Sequence, residues 1–109
     1  MKVTVHDIAG LPGISATLLE ADRPVHKVFC CDLLSVAMAR APEDSVWVTV
    51  MGNVNVVAVA SLADIACVVI AEGYSFDEAA IKAAEGKLTL LRSPMPIFET
   101  ADMIAKSQR

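Results

Sequence analysis

The run VTVMGNVNVVAVASLADIACVVIAEG, residues 48–73, constrains this chain more than any other stretch. It is as apolar as a membrane span, yet Gly52, Asn53, Asn55 and Asp64 interrupt it. A span needs about 20 predominantly apolar residues, and a central Asp costs on the order of 2.5–3.5 kcal/mol. Residues 54–71 include Asn55, Ser61 and Asp64, and Val68-Val69-Ile70 is a β-branched cluster suited to a strand. A membrane helix is therefore excluded. Two readings remain. Val46–Met51 is strand-like and Gly52-Asn53 suits a turn, which makes Val54–Val59 the return strand of a hairpin. Alternatively, Asn53 caps a helix opening at Val54, because Val57–Ala63 shifts to the Ala-rich composition that helices favour. The residues alone leave both open.

At 109 residues the chain is sized for one domain over 1–109, and folding buries roughly two thirds of the unfolded surface. A hydrophobic content of 55% and a mean hydropathy of +0.54 predict that a partner covers part of the surface. The net charge of −4 and nine scattered Lys and Arg argue against nucleic acid or an anionic membrane as partner. Cys30, Cys31 and Cys67 form no CxxC, and adjacent cysteines on a strand point to opposite faces. Buried structural thiols are expected, with no metal. The odd cysteine count and the lack of a leader pattern fit a reducing, cytoplasmic setting.

Local signals place the remaining elements. Thr4 and Asp7 start a helical turn that Leu11-Pro12-Gly13 breaks. Ile14–Leu19 reads as a strand, residues 20–24 as a polar connection, and Val25–Cys31 as a second strand. Asp32 is placed to cap a helix over Leu33–Ala41. Val46–Met51 and Cys67–Ala71 are strands three and four. Ser75–Glu78 matches a capping box for a helix that ends at Glu85, before Gly86. Leu88–Leu91 is a fifth strand, and Ile97–Lys106 a closing helix with Ile97, Ala101 and Ile104 on one face. This alternation predicts the α/β class, as a three-layer sandwich with a mostly parallel five-stranded sheet.

Residues 25–39 (VHKVFCCDLLSVAMA), 47–73 (WVTVMGNVNVVAVASLADIACVVIAEG) and 88–104 (LTLLRSPMPIFETADMI) together resemble the DRTGG domain family. The likeness is to its free-standing type, similar to the N-terminal domain of HPr kinase/phosphorylase, and spans roughly residues 14–105. It implies an α/β module with a regulatory role beside catalytic or sensory partners. It also implies a helix, not a return strand, after Asn53. The Asp-Arg-Thr that names the family would fall near Gly52–Asn55 and is absent here. In its place Asn55 opens an Asn-Val-Val-Ala-Val-Ala run that matches the free-standing subgroup.

Ligands of open α/β sheets sit beyond the carboxyl ends of strands, where helix amides are free. That rule assigns a ligand site to Asp32, Gly52, Asn53, Asn55, Glu72, Arg92 and Ser93, with Gly73 beside them. They are expected to line one polar crevice that takes a small anion or nucleotide fragment. The plainer account is that Asp32 and Asn53 only cap helices. No P-loop lysine follows Gly52, and His6 and His26 are not spaced for a triad, so neither a catalytic group nor a cofactor is expected. The expected function is a non-catalytic regulatory or ligand-sensing module for a phosphorylated metabolite or nucleotide. The alternatives are a cryptic enzyme with Asp32 or Glu72 as base, and a structural partner subunit. As a helix, residues 54–63 are apolar all round. Val56, Ala60 and Ala63 are expected to meet a second copy in a homodimer.

Overall fold

In the computed structural model, which describes residues 2–107, the apolar run becomes a strand, a helix and a second strand. Asn53 decides this locally. Its backbone is extended, and its side-chain oxygen accepts from the N–H groups of Asn55 and Val56 at 2.9 and 3.3 Å. Two amides of the first turn are thereby satisfied. The strand before the helix, Ser45–Thr49, pairs in parallel with the strand after it, Cys67–Ile70, and Val46 lies opposite Cys67. A parallel pair needs a crossover, so the hairpin reading is excluded.

The elements in chain order are β1 (Val3–Thr4), α1 (Val5–Ala9), β2 (Ser15–Leu18), β3 (Pro24–Val25), β4 (Lys27–Cys30) and α2 (Leu34–Arg40). Then come β5 (Ser45–Thr49), α3 (Val54–Leu62), β6 (Cys67–Ile70), α4 (Glu78–Ala84), β7 (Thr89–Arg92) and α5 (Ile97–Lys106). The main sheet runs β2-β7-β6-β5-β4; its last four strands are parallel and β2 is antiparallel to β7. β1 and β3 form a separate two-stranded ribbon. The expected three-layer sandwich with a mostly parallel five-stranded sheet is the observed fold.

The period-two alternation of strand side chains explains the layers. Trp47, Val68, Ile70 and Leu90 point to one core, shared with Ala37 of α2, Val56, Val57, Val59 and Ala60 of α3, and Ala80 and Ala84 of α4. Val46, Val48, Cys67, Val69 and Leu91 point to the other, shared with Val5 and Ile8 of α1 and Ile104 of α5. Ile97 and Ala101 pack there too, so α5 presents the predicted face.

Five expectations are corrected. Val25–Cys31 is not one strand: Val25 pairs with Val3 in the ribbon, and β4 starts only at Lys27. Asp32 does not cap α2. The N-cap there is Leu33, without a side-chain bond, because Asp32 is held across the sheet by Thr49 and Val50. Nor does Ser75 form a capping box with Glu78; α4 opens two residues later than expected, after Asp77, again without a side-chain cap. The dimer face proposed for α3 is also wrong in detail. α3 is the middle helix of its layer, flanked by α2 and α4, so Val56 and Ala60 are fully buried by their own chain. Its exposed residues are Val54, Asn55, Ala58, Ser61 and Leu62. Of the cysteines only Cys67 is buried, and Cys30 is exposed on β4.

Two outcomes follow. Ala60→Glu is expected to unfold the chain, since it places a charge among the apolar groups of the first core and costs several kcal/mol. Loss of the far-ultraviolet dichroism would report it. Burial pushes the Cys67 thiol from 9.0 up to about 12, with Arg23 opposing weakly. The native state therefore keeps a proton that the unfolded chain releases. Stability is complete below pH 9 and falls as pH rises towards 12, by about 1.4 kcal/mol per unit inside that window. Urea denaturation at a series of alkaline pH values is expected to show this slope, and Cys67→Ala to remove most of it.

Candidate functional site

Parallel pairing delivers the carboxyl ends of β4, β5, β6 and β7 to one edge of the sheet, and every predicted site residue lies there. They do not form one crevice. The reason is topological. β4, β5, β6 and β7 follow one another across the sheet without a reversal, and their connecting helices α2, α3 and α4 all cover the same face. A crevice opens where strand order reverses and successive connections diverge, and among these strands none does. The edge instead carries two separate groups.

The first group, at β4 and β5, is occupied by the fold itself. Asp32 accepts from the Thr49 hydroxyl at 2.7 Å and from the Val50 N–H at 2.8 Å, which ties the ends of the two strands together. Trp47 Nε1 donates to the Cys31 carbonyl at 2.9 Å, a second tie at the same place. Asn53 is committed to its cap, and Asn55 is exposed on the first turn of α3. Gly52 is required by close packing. A Cβ there would stand 2.5 Å from the Ser75 carbonyl oxygen and 2.9 Å from Ile70 Cδ1. The Gly52 carbonyl also accepts from the Asp77 N–H at 2.8 Å, so the loop before α4 rests on this position.

The second group, at β6 and β7, lines a cleft of about 210 Å³ formed by Gly13, Ser15, Gly73, Arg92, Ser93 and Pro94. Arg92 is half-buried; its Nε donates to the Tyr74 carbonyl and its Nη2 to the Gly73 carbonyl, both at 2.8 Å. Ser93 is buried and shares a 2.8 Å hydrogen bond with the Thr100 hydroxyl, while its Oγ accepts from the Met95 N–H. It pins the start of α5 to β7. Glu72 is exposed in a left-handed conformation (φ 61°), and its N–H donates to the Met95 carbonyl. Arg92 and Ser93 are therefore brought together with Gly73, while Asp32, Asn53 and Asn55 do not line this cleft.

Gly13 and Ser15 were not anticipated. They enter because β2 runs antiparallel beside β7 and sets Ser15 opposite Arg92. Directly opposed residues share a face of the sheet, so the hydroxyl and the guanidinium start from the same side. The Pro12-Gly13 break was visible in the sequence, but the strand it faces was not.

Two further charged clusters are tied into the fold. Burial works against the charge on Arg23, but hydrogen bonds and charge from Asp44 and Asp64 more than offset it and raise its pKa. This cluster lies at the opposite edge, before β5 and β6, and also holds the Asp64 and Ile65 carbonyls. The backbone N–H of His6 donates to Asp22 at 2.9 Å and lowers that carboxyl's pKa. His6 Nε2 donates to the Glu20 carbonyl at 2.7 Å. A wider surface depression of about 560 Å³ runs along α4, lined by Glu78, Ala79, Ile81 and Lys82, so a single helix supplies its walls. Among the described residues no group of three or more His, Cys, Asp or Glu is placed to hold a metal ion. No described helix is long and apolar enough to cross a membrane.

No protein-family model matches the chain, and no curated protein is significantly similar to it.

Substitutions separate the roles at this edge. Gly52→Ala is expected to destabilise the chain by about 1–3 kcal/mol through overpacking. Asn53→Ala should cost about 1 kcal/mol as a lost cap, while Asn55→Ala should stay within about 0.5 kcal/mol. Midpoints of urea denaturation measure all three.

Proposed function

We propose that the chain is a non-catalytic regulatory module that self-associates and takes a small ligand at the carboxyl edge of its sheet. The observation that carries this reading is a set of exposed apolar side chains on and beside α2 and α3. Leu33 and Met38 are each 58% exposed and Leu62 is 78% exposed, while Val36 and Val54 are less exposed, at 38% and 42%. Arg40 is the single charged residue in the two helices. Surface of this kind on a small domain marks an interaction site. Beside it, β4 ends the sheet with its outer edge unpaired, which is a template for further pairing unless covered.

The resemblance to DRTGG domains, which accompany catalytic or sensory partners, supports a regulatory role. The free thiols of Cys30, Cys31 and Cys67 fit a reducing, cytoplasmic setting. The contact with a second copy runs through the outer face of residues 54–63, where Val54, Ala58 and Leu62 lie, extended by Val36 and Met38 of α2. A two-fold pairing buries each copy's patch against the other.

Sedimentation velocity at tens of micromolar protein is expected to show a dimer. The double variant Met38→Glu with Leu62→Glu is expected to sediment as a folded monomer, because both side chains are exposed within one chain. A monomeric wild-type chain would defeat the self-association.

A further inference from the structure

Arg92 and Arg23 stand at opposite edges of the sheet in opposite electrostatic conditions. Arg23 is neutralised by the carboxylates of Asp44 and Asp64. No carboxylate among the described residues pairs with Arg92. The bonds of Arg92 Nε and Nη2 to the Tyr74 and Gly73 carbonyls fix the plane of its guanidinium but leave its charge uncompensated. They also leave both protons of Nη1 without an acceptor among the described residues, and Arg has no deprotonated state to retreat to. A half-buried, positionally fixed cation on a chain of net charge −4 calls for an anion.

The walls of the cleft suit one. Ser15, exposed and opposite Arg92, brings a hydroxyl donor from the same face of the sheet. Gly13 and Gly73, at φ 82° and 73°, bring backbone without side chains; a Cβ at Gly73 would meet nothing within 4 Å. The space is open there. Its volume of about 210 Å³ is below the ~300–1,000 Å³ of pockets that enclose a whole drug-sized ligand. It holds a head group, not a nucleotide.

The geometry points to an oxyanion site in this cleft, in which Arg92 Nη1 and the Ser15 hydroxyl bind a phosphate group. The group is either inorganic phosphate or the exposed end of a phosphate monoester whose body projects into solvent. Phosphate is preferred to carboxylate because the dianion gains more from the uncompensated cation. The inference rests on the reading of the chain as a ligand-taking module and names the class of ligand.

The test is an amide NMR titration of the full chain at constant ionic strength, with inorganic phosphate, methyl phosphate and acetate as separate probes. Saturable shifts of the Gly13, Ser15, Gly73 and Ser93 amides are expected with phosphate, and weaker binding with acetate. Binding of methyl phosphate as well identifies an esterified ligand, and binding of inorganic phosphate alone a free one; either supports the site. Arg92→Gln is expected to weaken binding at least about tenfold. Because Arg92 also holds the loop after β6, Ser15→Ala serves as the second variant; it leaves those bonds intact and is expected to weaken binding several-fold. Three results would overturn the inference: no saturable shift up to high millimolar phosphate, equal binding by the Arg92→Gln chain, or acetate binding as tightly as phosphate. A chain that sediments as a monomer yet binds phosphate would remove self-association and keep the site. A dimer indifferent to phosphate would do the reverse.

Discussion

Ser45–Thr49 and Cys67–Ile70 are buried along their whole length, so β5 and β6 lose solvent on both faces. Strands in that position send alternate side chains into two separate cores, and each core needs its own layer of helices. The parallel pairing of β4 to β7 follows, because only a crossover segment can put a helix over the sheet between one strand and the next. α2, α3 and α4 are those crossovers, which is why all three lie on one face. The opposite face is left to α1 and α5, the elements that flank the βα series in the chain.

The same winding decides what the carboxyl edge can do. Without a reversal of strand order, the loops there close on one another. Asp32 bonds to Thr49 and Val50, Gly52 packs under Ser75, and Arg92 reaches back to Gly73 and Tyr74. A cleft opens where the antiparallel β2 joins β7 at the side of the series. The polar residues of this edge thus divide by neighbour and not by chemistry. Those between parallel strands are consumed as ties, and those next to β2 face a cleft.

Much of the fold was legible because its signals are local. Asn53 before an Ala-rich run marked α3, the shared face of Ile97, Ala101 and Ile104 marked α5, and β-branched runs marked the inner strands. The misreadings share a physical cause, which is a contact with a distant part of the chain that outweighs the local signal. Asp32 looks like a cap until Thr49, seventeen residues away in chain order, takes its carboxylate. Ser75 looks like half of a capping box, but the chain there is pressed against Gly52, and the helix begins two residues later than that motif predicts. The apolar surplus of α3 was read as a second interface, whereas most of it is spent on the flanking helices. At the site, the strand ends indicated the carboxyl edge, and of the residues named there Arg92 and Ser93 line the cleft. Gly13 and Ser15 were out of reach, since their place depends on a pairing between distant parts of the chain.

That pairing has a kinetic meaning. β4, β5, β6 and β7 each find a neighbour one crossover away, so the entropic cost of closing each of these contacts is small. β2 must wait. Ser15 lies opposite Arg92, a separation of 77 residues (92 minus 15), so the strand made near the start of the chain docks only after the last one exists. The walls of the cleft, Gly13 and Ser15 on one side and Arg92 and Ser93 on the other, meet in that single late event. Any molecule that lodges between them recognises the finished sheet alone and favours its closure over reopening by mass action. For a protein emerging from a ribosome, the cleft cannot exist before β7 has been made, and its occupancy reports that the sheet is closed.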